Sequence, residues 1–450
     1  MKKNVPNPRR RLLAEQVVAR SPRSVQMYAA AREHYAGGVV GANVPVYPAP
    51  VYIERAEGAY VYDLDGNRYI DCWPGHGTLM FGHGNVQVRE AIAAQLEAGW
   101  AYGYPHPLQV AFAEKMKSLL PGREQFVLCN SGTEAVHKAI MLARAYTGKQ
   151  KLVKFSGTYH GTYDQVILNV RAATHESLPL PVEPHVAGTS VAATADTLVM
   201  PFNDTVALEA LLPHVADITA VVTEPVAGYG LFAMEDGFAA ALYRFCQQHN
   251  ILLIMDEVFM GFRGVAERQA DIHTYGKLVG GGMPLGVLAT RREILDICTR
   301  QTPPLLQGGT FSGNPACLSA ACAFLDLLQA DPSCIDRLVH KTSVFANAIN
   351  TYCQSRHYPF CARSAGTAFA IFARPQPPLV PADMRDSNGR LMDELVLRLR
   401  LAGVILNITG IGTLTLAHDD EVMVALLAAF RDCLDATMAG DPAGEHVAAN

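Results

Sequence analysis

The sequence predicts an α/β protein: a large doubly wound domain with a mainly parallel sheet, and a smaller α+β domain. Three observations carry this. From about Gly75 onward, helical patterns alternate with short apolar runs, the order of strands and crossover helices. One of those runs, Ile251 to Met255, is apolar at every position, as a parallel strand covered on both faces requires. The segments on either side differ in character: alternating Val/Tyr/Ile runs between Val51 and Cys72, and long helices with short β-like runs after Asn314-Pro315. The expected division is a flexible basic arm over 1–23, the first part of the small domain over 24–74, the large domain over 75–315, the rest of the small domain over 316–438, and a loose tail over 439–450.

Each element has a local reason. Ser24 to Tyr35 reads as a short amphipathic helix stopped by Gly37 and Gly38. The runs around Glu57-Gly58 and Asp65-Gly66-Asn67 describe an antiparallel hairpin or meander. Helical periodicity covers Val86 to Ala98 and Leu108 to Leu119. The strand candidates are Phe126 to Cys129, Leu152 to Phe155, Thr197 to Val199, Ala220 to Val222 and Ile251 to Met255. A long helix follows Asn314-Pro315 to about Leu328, and another runs from Ile335 to about Tyr352. Thr367 to Phe372 and Val404 to Leu416 are β-like, and Glu421 to Ala436 is helical.

Composition narrows the function classes. The 450 residues are half hydrophobic and 18% charged, with a formal net charge of −5. That is ample for a large core and gives no overall basic balance toward nucleic acid. The start of the chain is basic, with Lys2, Lys3, Arg9, Arg10, Arg11, Arg20 and Arg23 against Glu15. It reads as a solvated arm rather than a contact with nucleic acid or an anionic surface. No run has signal-peptide character and none is long enough to span a bilayer, so no membrane partner is expected. The ten cysteines are scattered without a CxxC pair. Cys129, Cys246, Cys317, Cys322 and Cys433 read as core thiols, no metal site is expected, and the pattern fits a reducing cytoplasm.

Five stretches carry the chemistry. Cys129 to Gly148 runs from a strand end through Asn130-Ser131-Gly132-Thr133-Glu134 into a helix. Ser131 or Thr133 can cap it, and its free N–H groups make an anion cradle, although an ordinary N-cap has the same pattern. Tyr159-His160-Gly161 follows the Leu152 strand, where an aromatic can stack on a flat ligand. Thr223-Glu224-Pro225 puts a carboxylate at another strand end. Asp256 closes the Ile251 strand, where an acid can pair with a protonated ring nitrogen. Lys277, between Gly276 and Gly280-Gly281-Gly282, sits on a tightly specified backbone. Desolvation there lowers an amine's pKa and frees it for Schiff-base chemistry. Last, Gly308 to Pro315 suits phosphate or a flexible connector.

Together and in this order, these stretches resemble the class III pyridoxal-phosphate aminotransferases of fold type I, nearest to the glutamate-1-semialdehyde 2,1-aminomutase-like subgroup. The likeness covers about 24 to 436 and rests on ERAEGAYVYDLDGNRYID, NSGTEA, YHG, EPVAG, MDEV, GKLVGGGMPLG and GTFSGNP. ADIHTYGKLVGGGMPLGV is also similar to the aminotransferase modules of lipopeptide megasynthases. The resemblance implies pyridoxal 5'-phosphate as cofactor. Lys277 then forms the Schiff base and shuttles the proton, through pyridoxamine intermediates. Asp256 keeps the pyridinium nitrogen protonated, so the ring takes up electrons. Ser131, Gly132 and Thr133 hold the phosphate. Tyr159, with His160 beside it, stacks on one ring face and Val258 on the other. Glu224 lies near the ring oxygen or the substrate. Thr310 reaches the neighbouring subunit's phosphate, which implies a homodimer with a shared active site.

Three departures bear on the substrate. The aminomutases carry a carboxylate-binding arginine after the glycine pair matching Gly37-Gly38, whereas Val39 to Pro50 holds no basic residue. A glutamate expected near 406 is replaced by Leu406-Asn407-Ile408-Thr409-Gly410. The segment between Arg263 and Ala270 is several residues shorter than its counterparts. This either opens the active-site edge to a bulky or carrier-tethered substrate or makes a tighter turn. Arg263 and Arg363 stand as candidates for a carboxylate clamp or for structural roles. The reading is an intermolecular aminotransferase acting on an amino donor and a keto or aldehyde acceptor. An intramolecular aminomutase is the alternative, and a cofactor-binding protein without turnover is a third.

Overall fold

The computed structural model describes residues 8–41, 47–171, 177–300, 302, 304–305 and 308–439. The chain opens with a helix, Pro8–Arg20, and a second, Pro22–Ala31. The first corrects the expected flexible arm over 1–23. Leu13 and Val17 lie one turn apart on a face buried against Leu397 of the Gly389–Leu401 helix. Burying each such side chain is worth about 1.5–3 kcal/mol. Two of the first helix's basic residues, Arg10 and Arg20, reach to that same Gly389–Leu401 helix. Arg10 pairs with Asp393 at 3.2 Å, and Arg11 with Glu15 at 3.0 Å. Arg20 bonds Asn67 Oδ1 at 3.1 Å and the Leu401 carbonyl.

Next comes an antiparallel meander, β1 (Ile53–Glu57), β2 (Tyr60–Asp63) and β3 (Arg68–Asp71). The β2–β3 turn is held by Asp63 Oδ1, which accepts from Asp65 N at 3.0 Å and Asn67 N at 2.8 Å.

The principal sheet contains β4 (Gln125–Cys129), β5 (Lys151–Phe155), β6 (Thr197–Met200) and β7 (Ile218–Thr223). After a short ribbon of β8 (Val226–Ala227) and β9 (Phe232–Ala233) it adds β10 (Leu252–Asp256), β11 (Ile272–Tyr275) and β12 (Gly286–Thr290). The spatial order is β4-β12-β11-β10-β7-β5-β6, and only β12 runs against its neighbours. Alternate residues of β10 face opposite layers. Leu252 and Ile254 pack with Ala135, Ala139 and Ile140 of the Gly132–Thr147 helix. Leu253 and Met255 pack with Phe238, Leu242 and Cys246 of the Asp236–Gln248 helix. This double cover is why the strand is apolar throughout. β11 and β12 escaped the sequence reading because β11 carries His273 and Thr274 inside it and β12 follows directly on the glycine-rich loop.

The C-terminal part supplies β13 (Cys361–Ala365), β14 (Ala368–Phe372), β15 (Val404–Ile405) and β16 (Ile411–Thr413). β15 pairs in parallel with β3, joining the two ends of the chain, while β13, β14 and β16 form an antiparallel sheet. The β-like stretch Val404 to Leu416 is therefore two strands, split by a loop over 406–410. The Gly389–Leu401 helix was not anticipated. Asn388 caps it, accepting from Arg390 N and Leu391 N. The last helix, Asp420–Ala439, ends where the described residues end, so the expected tail beyond Ala439 lies outside them.

Candidate active site

The carboxyl ends of β4, β5, β7, β10 and β11 meet at one edge, where ligands of open α/β sheets collect. A cavity of ≈ 670 Å³ opens there. Ser131, Gly132, Thr133, Tyr159, His160, Glu224, Asp256, Val258 and Lys277 all line it, and of the residues assigned to the cofactor from sequence only Thr310 does not. Thr310 is exposed, in the turn before the Pro315–Ala330 helix.

Lys277 follows β11 through the extended Gly276, with φ +49°. That left-handed conformation is uncommon for a residue with a Cβ and marks a specified site. The loop beyond is pressed against the Pro315–Ala330 helix: a Cβ on Gly281 would come within 2.6 Å of the Ala320 carbonyl oxygen. Burial pushes the Lys277 amine below its ordinary pKa. The Asp256 and Glu224 charges oppose this, and the Arg263 guanidinium reinforces it.

Asp256 ends β10 and is 4% exposed. Its Oδ1 accepts from Val258 N at 3.0 Å and Thr274 Oγ1 at 3.2 Å. Its Oδ2 bonds His160 Nδ1 at 2.9 Å, and His160 Nε2 meets Thr158 Oγ1 at 2.9 Å. His160 thus orients the carboxylate. Burial lowers its pKa, while the Asp256 bond pulls it back up.

At the other end of the cavity the Gly132–Thr147 helix begins. Ser131, not Thr133, is its N-cap, with Oγ accepting from Glu134 N at 3.2 Å. Glu134 Oε2 accepts from Asn130 N, one residue before the cap, at 2.6 Å. The helix's first N–H groups and positive dipole end are left for an anion. A Cβ on Gly132 would lie 2.5 Å from Val258 Cγ1, and one on Gly161 would lie 2.4 Å from Thr133 Oγ1. Both glycines are required by close approach.

Glu224 follows β7 and is buried. Its Oε2 accepts from Tyr159 N at 2.9 Å, and its Oε1 from Gly228 N at 3.2 Å. Burial, helped by the Asp256 charge, pushes its pKa up to about 8 against those two bonds. Behind this layer lies Lys154, fully buried, whose ammonium donates to the Thr158 carbonyl at 3.1 Å and to the Leu168 carbonyl. Burial lowers its pKa to about 7, with Glu224 opposing.

The structure adds Trp73, His76, Tyr229 and Phe259, which sequence reasoning missed, and places Asn407 and Thr409, noted from sequence only as a departure, on the same cavity wall. Their only sequence signals were the Trp-Pro-Gly-His-Gly turn after β3 and the Asn407-x-Thr409 pattern. The two candidate clamps are structural. Arg263 is 1% exposed, and its guanidinium serves the Phe259 carbonyl at 2.5 Å, Thr367 Oγ1 at 3.2 Å and the Gly77 carbonyl. Arg363 serves the Gly230 carbonyl at 3.1 Å and the Pro378 carbonyl. Neither lines the cavity, and none of residues 264–270 does either. The 264–270 segment is held away from the cavity by ion pairs and hydrogen bonds. Arg268 ties it to Asp236 Oδ1 and the Met234 carbonyl at 2.6 Å each, and Glu267 ties it to Arg123.

An anion cradle, a slot walled by Tyr159 and Val258, a carboxylate and an amine in one cavity fit a flat, phosphorylated pyridine aldehyde. Fold and site together define a pyridoxal-phosphate-dependent transferase. More particularly, the chain belongs to the class-III aminotransferases, whose family model, described as "Aminotransferase class-III", matches residues 42–433. It is 34% identical over 420 residues to a glutamate-1-semialdehyde 2,1-aminomutase of Methanothrix thermoacetophila, covering 91% of this chain and 95% of that one. A solved transaminase with pyridoxal phosphate bound superposes with TM-score 0.87 at 30% identity, over 94% of this chain and 99% of the other. An omega-transaminase from Sphaerobacter thermophilus superposes with TM-score 0.87 at 28% identity, with the same coverage. The chain is an enzyme that uses pyridoxal phosphate.

Proposed function

We propose that this enzyme is an intermolecular aminotransferase, moving an amino group from an amino donor to a keto or aldehyde acceptor. One observation carries the choice. Among the described residues, Lys277 is the only cationic side chain lining the cavity besides the weakly basic imidazoles. A glutamate-semialdehyde substrate carries a carboxylate, for which this wall offers no guanidinium. Bound pyridoxal phosphate supplies an electron sink. The chain's residues do the rest. Ser131, Gly132 and Thr133 bind the phosphate, and Tyr159 and Val258 hold the ring plane. Asp256, oriented by His160, keeps a proton on the ring nitrogen. Glu224 would lie toward the ring oxygen or the substrate, and the Lys277 amine, whose pKa burial lowers, takes and returns the substrate proton.

The aminomutase is a second reading, favoured by the name of the 34%-identical relative. A panel of amino donors separates the two. Bleaching of the cofactor's visible band with release of a keto product supports transfer. Turnover of a single diamine or amino-aldehyde without acceptor supports the mutase, and a band that no donor bleaches leaves only binding. Asp256→Asn lowers turnover by about 10²- to 10³-fold, since it removes a preorganised charge partner. Lys277→Arg abolishes turnover.

The reading includes a homodimer, with Thr310 reaching the partner's phosphate. In support, the Val86–Ala98 helix buries none of its residues. Trp100, Tyr104, Val110 and Phe311 are also exposed. Asn314 Nδ2 donates to the Trp100 carbonyl at 2.7 Å, so the Thr310 turn adjoins that apolar surface. A cytoplasmic location is consistent with all ten cysteines being free thiols. The acceptor is free or tethered to a carrier, and the 264–270 loop favours neither.

A further inference from the structure

Trp73 and His76 stand at the cavity's mouth on the turn after β3. Asp71 starts that turn by accepting from Trp73 N at 2.9 Å. His76 has φ +58°, between Gly75 at +55° and Gly77 at +79°. Three successive left-handed residues make a specified bend, and the non-glycine one carries the imidazole into the site. Arg263 pins the bend through the Gly77 carbonyl. A wall leads outward from the reactive amine. Lys277 Nζ lies 5.5 Å from the Phe259 ring centre, Phe259 lies 6.0 Å from Trp73, and Trp73 lies 6.2 Å from His76. Phe259 and Trp73 thus connect the Lys277 amine to His76 along this wall.

The protonation of His76 follows from its partner. Trp73 Nε1 donates to His76 Nδ1 at 3.1 Å, and an indole N–H can only donate. The accepting nitrogen is therefore bare, and the ring is neutral with its proton on Nε2. Partial burial and the Lys277 charge both lower the His76 pKa, with Asp71 opposing. Asn407 is prepared in the same sense. Its Oδ1 accepts from Thr409 N and Thr409 Oγ1, each at 2.9 Å, which leaves its amide N–H groups to offer. The cavity wall already holds the Asp256 carboxylate. Apart from Lys277, which the reaction itself engages, a distal carboxylate finds N–H donors but no cation among the described lining residues, and a charge that loses water without gaining a partner is disfavoured against a neutral acceptor.

We propose that His76, positioned by Trp73, and Asn407 form an uncharged donor subsite that selects substrates whose distal end is a neutral hydrogen-bond acceptor, such as a carboxamide, over a carboxylate. This names the substrate class of the aminotransferase reading and rests on it. The test uses the holoenzyme and a matched homologous series of ω-amino carboxamides and ω-amino carboxylates as donors. The expected kcat/KM favours the carboxamide about tenfold or more at the best chain length, mainly through KM, as loss of one satisfied bond implies. His76→Ala brings the ratio close to unity, and His76→Arg inverts it. Trp73→Phe keeps the ring but not the N–H. It lowers the ratio and moves the His76 ¹⁵N shifts away from the Nε2–H tautomer, which a merely structural change would not do. A parent enzyme that prefers carboxylates, or a ratio untouched by His76→Ala, overturns the proposal. If neither series bleaches the cofactor and the broader donor panel also fails, the aminotransferase reading fails instead. Calorimetric binding of unreactive pentanamide against pentanoate then decides the subsite alone, with equal or reversed affinity counting against it.

Discussion

Replacing Gly132 by alanine puts a methyl group where Val258 already lies. The new Cβ would stand 2.5 Å from Val258 Cγ1, 2.7 Å from Cγ2 and 3.2 Å from Cβ. Because both methyls face the glycine, each alternative staggered rotamer of this stiff side chain still turns one toward the newcomer. The overlap must be relieved by moving Val258, and its backbone N–H donates to Asp256 Oδ1 at 3.0 Å. Overpacking of this kind costs about 1–3 kcal/mol. Spent on the slot that Val258 walls, it weakens pyridoxal-phosphate binding about 5- to 150-fold. Titrating apoenzyme with cofactor and following the visible band measures this, and the apoenzyme Tm shows how much of the cost falls on the fold. Val258→Ala removes both methyls and leaves only the 3.2 Å neighbour, so the double variant recovers most of the loss. A double-mutant cycle isolates the coupling. The reasoning is refuted by a Gly132→Ala enzyme of parental affinity and Tm, or by a double variant no better than the single one.

Other consequences reach beyond that contact. His418 is fully buried, and its Nδ1 accepts from Thr415 N at 3.1 Å. Burial holds its pKa down to about 4, against opposition from Asp71 and with help from Lys341. Between about 6.5 and 4 the unfolded chain binds a proton that folded His418 refuses. Its contribution, roughly 3 kcal/mol, is therefore present above pH 6.5 and lost as pH falls through 4. His418→Asn keeps an acceptor for Thr415 N but cannot titrate, and denaturant melts across that window should show a flatter acid limb. Lys154→Met removes the donors to the Thr158 and Leu168 carbonyls. Hydrogen exchange should quicken over residues 156–171 and cofactor affinity should fall, whereas unchanged exchange would show the ammonium to be idle. Trp100 is 60% exposed, so Trp100→Glu is harmless in a monomer. With that face buried between subunits, the substitution shifts sedimentation toward the monomer and lowers activity.

What the sequence alone determined is what neighbours in the chain settle between themselves. The covered strand β10 is announced by five consecutive apolar residues. Ser131 caps a helix through Glu134 N three positions on, and Lys277 stands among glycines that specify its backbone. Each depends on dihedral preference, capping or alternation within a few residues. The tertiary structure decided what distant segments do to one another. The Pro8–Arg20 helix looked like a solvated arm because its charges outnumber Leu13 and Val17, and only the Gly389–Leu401 helix gives that thin apolar face something to cover. Arg263 stood open between a clamp and a structural role until the fold wrapped three neutral acceptors around it. Trp73 and His76 lie more than three hundred positions from Asn407, yet the parallel pairing of β3 with β15 carries both loops to one cavity. No local propensity encodes that meeting. It arises where strand ends converge: the motifs that resemble a cofactor site are each contiguous in the chain, whereas the wall that joins the Trp73–His76 turn to Asn407 is not.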